Sequence, residues 1–593
     1  MYRPLHSLEI EQLKGQGCCA ENWNLIEVDE DFSADSIRNV EFGKQIRIGK
    51  SVVIKNANIK DCYIGNNCTI SNIGQYISHC KIEEDCFIEN IGIIDCSENS
   101  SFGIGVEVNV LNENGGRRVP IFEGLSAQTA HRLVFHTEKR DKLLEELSDK
   151  IKTYPVFGNI EQGVRITNTK EIINTCIRAN TSIRGVELIE NCTISTNNII
   201  GNGVILKNSI TAPNVYITDS SIVERCFIGE ATKIEKGFTA LDCLIFSNCE
   251  LACGEAVSVF AGPYTVSHHK STLLIACATS FSNFGSGTNM SNHAYKLGAI
   301  HQSVFERGCK FASNSYMLSP SHIGAYSLII GSHKTNPDTH ELPFSYLIEN
   351  QGRTQLIPGI NIFRIGTLRD IQKWQKRDKR NRKEHLDGIT FGLFNPVIIN
   401  QITKAIDILE ELERKEPEAT TYHYNSCIIN KNALKKGITY YKEALTVCLG
   451  DFILDSLDKQ DLQYDSIDLD WIDCGGLTIP KTAIEDRHLL SHYEQSEQSL
   501  LKFIALNFSK ELAEREFIIA KYISILEKIK KRLLLEASSE FWGTSQIGYG
   551  IDYEENRSDD FSRVVGTLED NSFIKELQAE LDRKIKEAHF LIQ

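Results

Sequence analysis
The 593-residue chain holds 18 cysteines but no Cys-x-x-Cys pair. That absence removes the spacing of a zinc ribbon and of a redox dithiol. No run of about 18 apolar residues occurs, so no membrane-spanning helix is expected. Residues 1–21 lack the apolar core of a secretory signal, and a cytoplasmic location is the default expectation. Positive charge is scarce: 64 Lys and Arg stand against 79 Asp and Glu, for a net charge of −15. A polyanion or an anionic membrane surface would be repelled, so neither nucleic acid nor membrane is an expected partner.

What is present is a repeat. Aliphatic residues recur at Ile48, Ile54, Ile59, Ile64 and Ile70, in steps of six, five, five and six, and resume at Ile82 and Ile88. A second series runs Ile177, Ile183, Leu188, Ile194, Ile199, Ile205 and Ile210, then Ile217, Ile222, Ile228 and Ile234. A helix repeats at 3.6 residues and a strand at 2, and neither gives these steps. A triangular coil does, with three short strands per turn, each sending one aliphatic side chain inward. Cys62, Cys68, Cys80, Cys86, Cys192, Cys226, Cys243 and Cys249 each precede an aliphatic position by two. A free cysteine there acts as a small buried hydrophobe. Gly49, Gly65 and Gly229 follow aliphatic positions, where a corner with positive φ is expected. The fold class is mainly β: a left-handed parallel β-helix of hexapeptide repeats with a helical insertion and a C-terminal α-helical domain.

The periodicity divides the chain into an N-terminal arm (1–33), a first β-helix block (34–112), a loop and helical insertion (113–165), a second block with an irregular end (166–366) and a helical domain (367–593). Within the insertion, Ser126 is placed to cap a helix reaching Lys152. In the last domain Ile399, Ile402, Ile406, Leu409 and Leu412 mark one amphipathic helix. Leu500 to Leu535 marks another, 538–565 reads as a polar loop, and Ile574, Leu577, Leu581 and Ile585 mark a terminal helix. Residues 369–383 read as the basic face of a helix.

The most informative stretch lies between Gly262 and Gly298. It contains His268-His269-Lys270-Ser271-Thr272 and then Asn283-Phe284-Gly285-Ser286-Gly287-Thr288, followed by Asn292-His293. The repeat resembles the hexapeptide-repeat transferases. This stretch resembles the acetyltransferase half of the bifunctional bacterial enzyme making UDP-N-acetylglucosamine, which carries Asn-Ile-Gly-Ala-Gly-Thr, three residues, then Asn-Tyr. That family also places a catalytic histidine fourteen residues before the first Asn, and fourteen before Asn283 is His269.

The resemblance implies acetyl-CoA as co-substrate, an amino-sugar phosphate or nucleotide sugar as acceptor, and a homotrimer. His269 would be the general base, with Asn283 beside it in the catalytic set. Gly285, Gly287, Asn292 and His293 would meet the cofactor. Lys270 and Thr272 would meet the substrate. Apart from the resemblance, Gly115-Gly116-Arg117-Arg118 reads either as a solvated loop or as a clasp for a phosphate, through backbone N–H groups and guanidinium forks. The chemistry fits the residue types: histidine titrates near neutrality, and glycine lets the backbone approach an oxyanion. Thr272 and His293 stand where the family has tyrosines, which puts the acceptor sugar in question. The family's other half opens on a Gly-rich phosphate loop. None occurs here, so uridylyl transfer is not expected.

No metal ligands belong to this leading reading. Two alternatives stand beside it. One is a non-catalytic β-helix scaffold or sugar-nucleotide-binding protein. The other is a metal-dependent β-helix enzyme gathering His293, His301 and His322. The chain is also similar to large bacterial proteins that join such a β-helix to a helical tail.

Overall fold
The structure, a computed structural model, describes residues 2–96, 100–155, 157–270, 272–380, 385–456, 470–485, 496–551 and 556–592. The chain winds into a β-solenoid of short parallel strands with helices at its C-terminal end. The rung is 17 residues long, the sum of steps of six, five and six. Ile166, Ile183, Ile200, Ile217 and Ile234 are partners on successive rungs, and all are buried. Each such side chain contributes roughly 1.5–3 kcal/mol by leaving water.

The coil starts earlier than residue 34: Ile26, Glu27 and Val28 already stack on Ile46, Arg47 and Ile48. The inward register differs from the sequence expectation by one residue at five places: at Ile210 the inward position is taken by Thr211, and at the other four by a second aliphatic residue. Ile189, Ile200, Leu206 and Val223 are fully buried. Their neighbours Leu188 and Ile205 are half-buried, and Ile199 and Ile222 are exposed. These four sites each offer two aliphatic residues in succession, so a five- or six-residue step accommodates either.

The corners also differ in kind from the expectation. Gly49, Gly65 and Gly229 are not in the left-handed region. They are needed for close approach: a Cβ on Gly65 would lie 2.7 Å from the Glu83 carbonyl carbon of the next rung. Asparagine, whose side chain tolerates positive φ, is the commonest residue at the left-handed corners. Asn180, Asn197 and Asn214 form one such column, with φ of 58°, 58° and 61°. The cysteines are buried as expected, and their thiols hydrogen-bond to carbonyls on the next rung, as from Cys192 to Leu206 O at 3.6 Å.

The chain leaves the solenoid after the strand Phe87–Asp95 and rejoins it at Gly158–Ile160, which stacks on Cys80–Ile82. The excursion therefore spans residues 96–157. Ser126 does cap a helix, accepting from Thr129 N, but that helix ends at Phe135. Short helices Arg140–Glu146 and Ser148–Lys152 follow in place of one long one.

The insertion folds back onto one outer face of the solenoid. The outward column there runs Ile210, Phe227, Leu244, Phe260, Ala278, Val304 and His322, one residue per rung. Its apolar members pack against Leu125, Ala130, Leu133 and Val134 of the insertion.

At the far end the strand Tyr346–Asn350 adds in parallel to Leu328–Ile330 and turns back antiparallel into Arg353–Ile357. The helical part then covers this end, through helices Pro396–Lys415, Lys431–Asp455, Arg515–Ile547 and Ser572–Phe590. Asn395 and Asn430 cap the first two. The stretch 538–565 is not a plain loop: helix runs to Ile547 and again over Arg557–Val565. No helix among the described residues is long and apolar enough to cross a membrane.

Candidate functional site
Three parts of the chain meet where the insertion stops covering the outward column. Ala278 is the smallest residue of that column, and the space beside it is left open. The insertion helix Ala127–Phe135 forms one wall, and the solenoid rungs from Phe260 to His322 form the floor. Helix Pro396–Lys415 and the hairpin starting at Trp471 form the rest. Together they enclose a cavity of about 430 Å³.

Buried hydrogen bonds hold the walls in place. Gln128 donates to Gly388 O, Cys474 O and Gly475 O at 3.0, 3.1 and 3.2 Å, and accepts from Gly388 N at 3.0 Å. Asp387 accepts from Ala127 N at 2.7 Å and from Ser247 N at 3.1 Å. Arg307, only 4% exposed, donates to Asp473 Oδ2 at 2.6 Å and to the carbonyls of Thr390 and Gly476, with Phe281 beneath its guanidinium.

The polar groups facing the cavity fall into two sets. On the insertion side, burial and the neighbouring His136 hold the His131 imidazole down at about 4. Burial lowers His136 too. Both rings are therefore neutral near pH 7. Among the described residues, His131 Nδ1 and His136 Nε2 have no hydrogen-bond partner.

On the solenoid side, His322 Nε2 lies 3.1 Å from Glu306 Oε1, and Gln401 donates to Glu306 Oε2 at 2.7 Å. Burial opposes charge on His322, but Glu306 raises its pKa. His322 also stacks on His340 at 4.7 Å, and His340 Nδ1 lies 2.7 Å from Asp338 Oδ1. His322, Asp338 and His340 each offer a ligand atom within 4.8 Å of the others.

The residues singled out in the sequence lie elsewhere. His269 and Lys270 are exposed at a corner, with His268 and His269 on the rim of a separate hollow of about 210 Å³. Asn283 is exposed one rung away, opposite Val266. Thr272 is buried and donates to His269 O at 3.4 Å. Gly285 and Gly287 face the next rung: a Cβ on Gly287 would sit 2.3 Å from Asn314 Oδ1. Asn292 is fully buried and donates to Glu113 at 2.7 Å, while His293 is exposed on a small hairpin. Arg117 donates to Val134 O at the end of the insertion helix, and Arg118 pairs with Glu107 on the surface.

The proposed trio of His293, His301 and His322 is not the group that converges, since His322 meets Asp338 and His340 instead. His333 is buried and held by Thr354 and the Ile330 carbonyl. Of the basic segment, Arg380 is buried against Asp378 and the Asp387 carbonyl rather than lying on an open face. Arg382 and Lys383 lie outside the described residues.

Residues 2–413 match the family described as a domain of unknown function, DUF4954. The chain belongs to that family. The match takes in the solenoid, the insertion and nearly all of helix Pro396–Lys415, and so every wall of the cavity except the hairpin. Residues 500–593 match a second domain of unknown function, DUF6819. One relative is an "Uncharacterized protein" of Treponema pallidum (strain Nichols), 24% identical over a 476-residue alignment that covers 69% of this chain. The chain spans 61% of that relative's length.

His131, His136, Glu306, Arg307, Gln401 and Asp473 escaped the reading of the sequence. A signal existed for part of the group. His322 and Asp338 are sixteen residues apart, close to one rung, and they bridge in parallel. His131 carried no such signal, because its position depends on how the insertion docks.

Proposed function
We propose that the chain is an enzyme acting on a small molecule held in the junction cavity, with neutral His131 moving a proton or polarising a carbonyl. One observation carries this reading. A pocket with mostly aromatic and aliphatic walls receives a half-buried imidazole whose Nδ1 is inaccessible to solvent and unsatisfied. Ligand sites typically combine such walls with a few convergent polar groups, in volumes of about 300–1,000 Å³. A buried polar atom without a partner costs roughly 1–3 kcal/mol, which a bound ligand would recover. Gln401 Oε1 and Asn395 Nδ2 are likewise unsatisfied, and both residues line the cavity. Each guanidinium nitrogen of Arg307 already donates to a protein acceptor. The groups left over therefore favour a neutral ligand surface bearing hydroxyl, amide or carbonyl groups, such as a sugar ring.

Ligand-observed NMR against sugars, sugar phosphates, nucleotide sugars and acyl-CoA tests the reading. Binding should occur to the native chain, vanish in Ala278→Leu at an unchanged unfolding temperature, and persist in His269→Ala. Binding indifferent to Ala278→Leu would remove the cavity from consideration.

A second reading keeps acetyl transfer from acetyl-CoA at His269, with an amino-sugar phosphate or nucleotide sugar as acceptor. It draws on the hollow beside His268 and His269, whose rim also carries Lys233 and Lys236, both paired with Glu235. Thiol release from acetyl-CoA that is lost in His269→Ala and retained in Ala278→Leu would select it. Turnover and binding absent from both places would leave a scaffold.

A further inference from the structure
We propose that His322, Asp338 and His340 bind a first-row divalent transition ion, zinc foremost, at the edge of the junction cavity. The proposal does not depend on what the cavity binds.

The placement follows from the coil. His322 and Asp338 bridge in parallel on adjacent rungs, and His340 follows two residues later. Adjacent strands lie about 4.7–4.9 Å apart, so side chains leaving one column on the same side are held at near-ligand spacing by the backbone. The three ligand groups already stand within 4.8 Å of one another. Two imidazoles and one carboxylate form a donor set suited to zinc, iron(II) and their neighbours, and one that leaves coordination positions free.

The surroundings supply a second, independent observation. The two stacked imidazoles are ringed by carboxylates. Glu306 lies 3.1 Å from His322 Nε2, Asp338 lies 2.7 Å from His340 Nδ1, and Glu341 lies 3.9 Å from His340 Nε2. One nearby cation, Lys404, approaches Glu341 at 3.9 Å. A single divalent ion held at the nitrogen edges of the two rings would balance these carboxylates.

The outer layer is present as well. Metal-bound histidines usually give their other ring proton to a carboxylate. Glu306 is placed to accept it from His322 and is itself fixed by Gln401. His322 belongs to the cavity lining, so an open position on the ion would face the space that His131 faces from the other side.

The test uses the full-length chain, freed of metal by chelator and titrated with Zn²⁺ alone by calorimetry, then with Co²⁺ by visible absorption. One equivalent should bind, with a Co²⁺ spectrum of a low-coordinate nitrogen and oxygen site. Asp338→Asn and His340→Gln, mild enough to retain the fold by circular dichroism, should each weaken binding by about 100-fold. His293→Ala should leave it unchanged. Binding that survives Asp338→Asn and His340→Gln, or the absence of any stoichiometric binding to the folded chain, overturns the proposal. Either result leaves the ligand test of the cavity, read through Ala278→Leu, standing by itself.

Discussion

Arg307 and Asp473 join at 2.6 Å across 166 residues of sequence, and their pair clamps the hairpin that closes the cavity onto the solenoid wall. The guanidinium is nearly inaccessible, whereas the carboxylate is partly open to solvent. Removing the carboxylate leaves a buried, uncompensated charge. Asp473→Ala should therefore destabilise the chain by about 3–5 kcal/mol, and Arg307→Met combined with Asp473→Leu by clearly less. Thermal unfolding of the two variants checks the order. Hydrogen exchange should show faster opening over 471–480 in Asp473→Ala.

His131 predicts a pH dependence of stability. In the unfolded chain its pKa is near 6.5, and in the folded chain burial holds it at about 4. Below 6.5 the unfolded state binds the extra proton, so stability falls as pH drops from 6.5 towards 4 and is fully present above 6.5. The whole effect is about 3 kcal/mol, at 1.36 kcal/mol per pKa unit. His322 shifts in the opposite sense, so the comparison must be with His131→Phe. The native chain should lose unfolding temperature relative to His131→Phe steadily as pH falls across that interval. A constant difference would mean that His131 titrates normally.

The one-residue register can be tested at a single dipeptide. Ile200 is fully buried and Ile199 is 49% exposed. Ile200→Ala should cost about 2–5 kcal/mol and Ile199→Ala less than about 1 kcal/mol, measured by chemical denaturation. Equal losses would contradict the rung assignment.

Thiol chemistry reports on the core as a whole. Of the 18 cysteines, Cys19 is exposed and Cys253 half-buried, while the others are buried. Burial pushes Cys62, Cys192 and Cys249 up to about 12, so they are protonated as well as shielded. A disulfide-exchange reagent should titrate one thiol quickly and a second slowly in the native chain, and all 18 in denaturant.

Much of the solenoid was legible because its rule is one-dimensional. A side chain's depth depends on its place in a 17-residue period, and Ile, Cys and Asn announce three of those places. The rule failed where two aliphatic residues adjoin, as at Ile199 and Ile200, because volume alone does not choose between them. It also misjudged Gly49 and Gly65, where proximity to the next rung, not backbone sign, is the constraint. The cavity was far less legible. Its walls come from the insertion, the solenoid and the helical part, and only docking brings His131 to face His322. The motif around His269 and Asn283 was visible for the opposite reason, since its members are close in sequence. In the fold Asn292 turns instead to Glu113, and Gly287 to the corner below it.

The outward column from Ile210 to His322 works as a graduated track. Each rung advances it by one strand spacing, and it stays apolar for six residues before ending at His322. Counted back from His322, the column passes Val304, then the small Ala278, then Phe260 under the insertion. The position of the gap beside Ala278 is thereby set by counting rungs. A change at any one of those positions alters the chemistry at one depth while leaving the ruler intact.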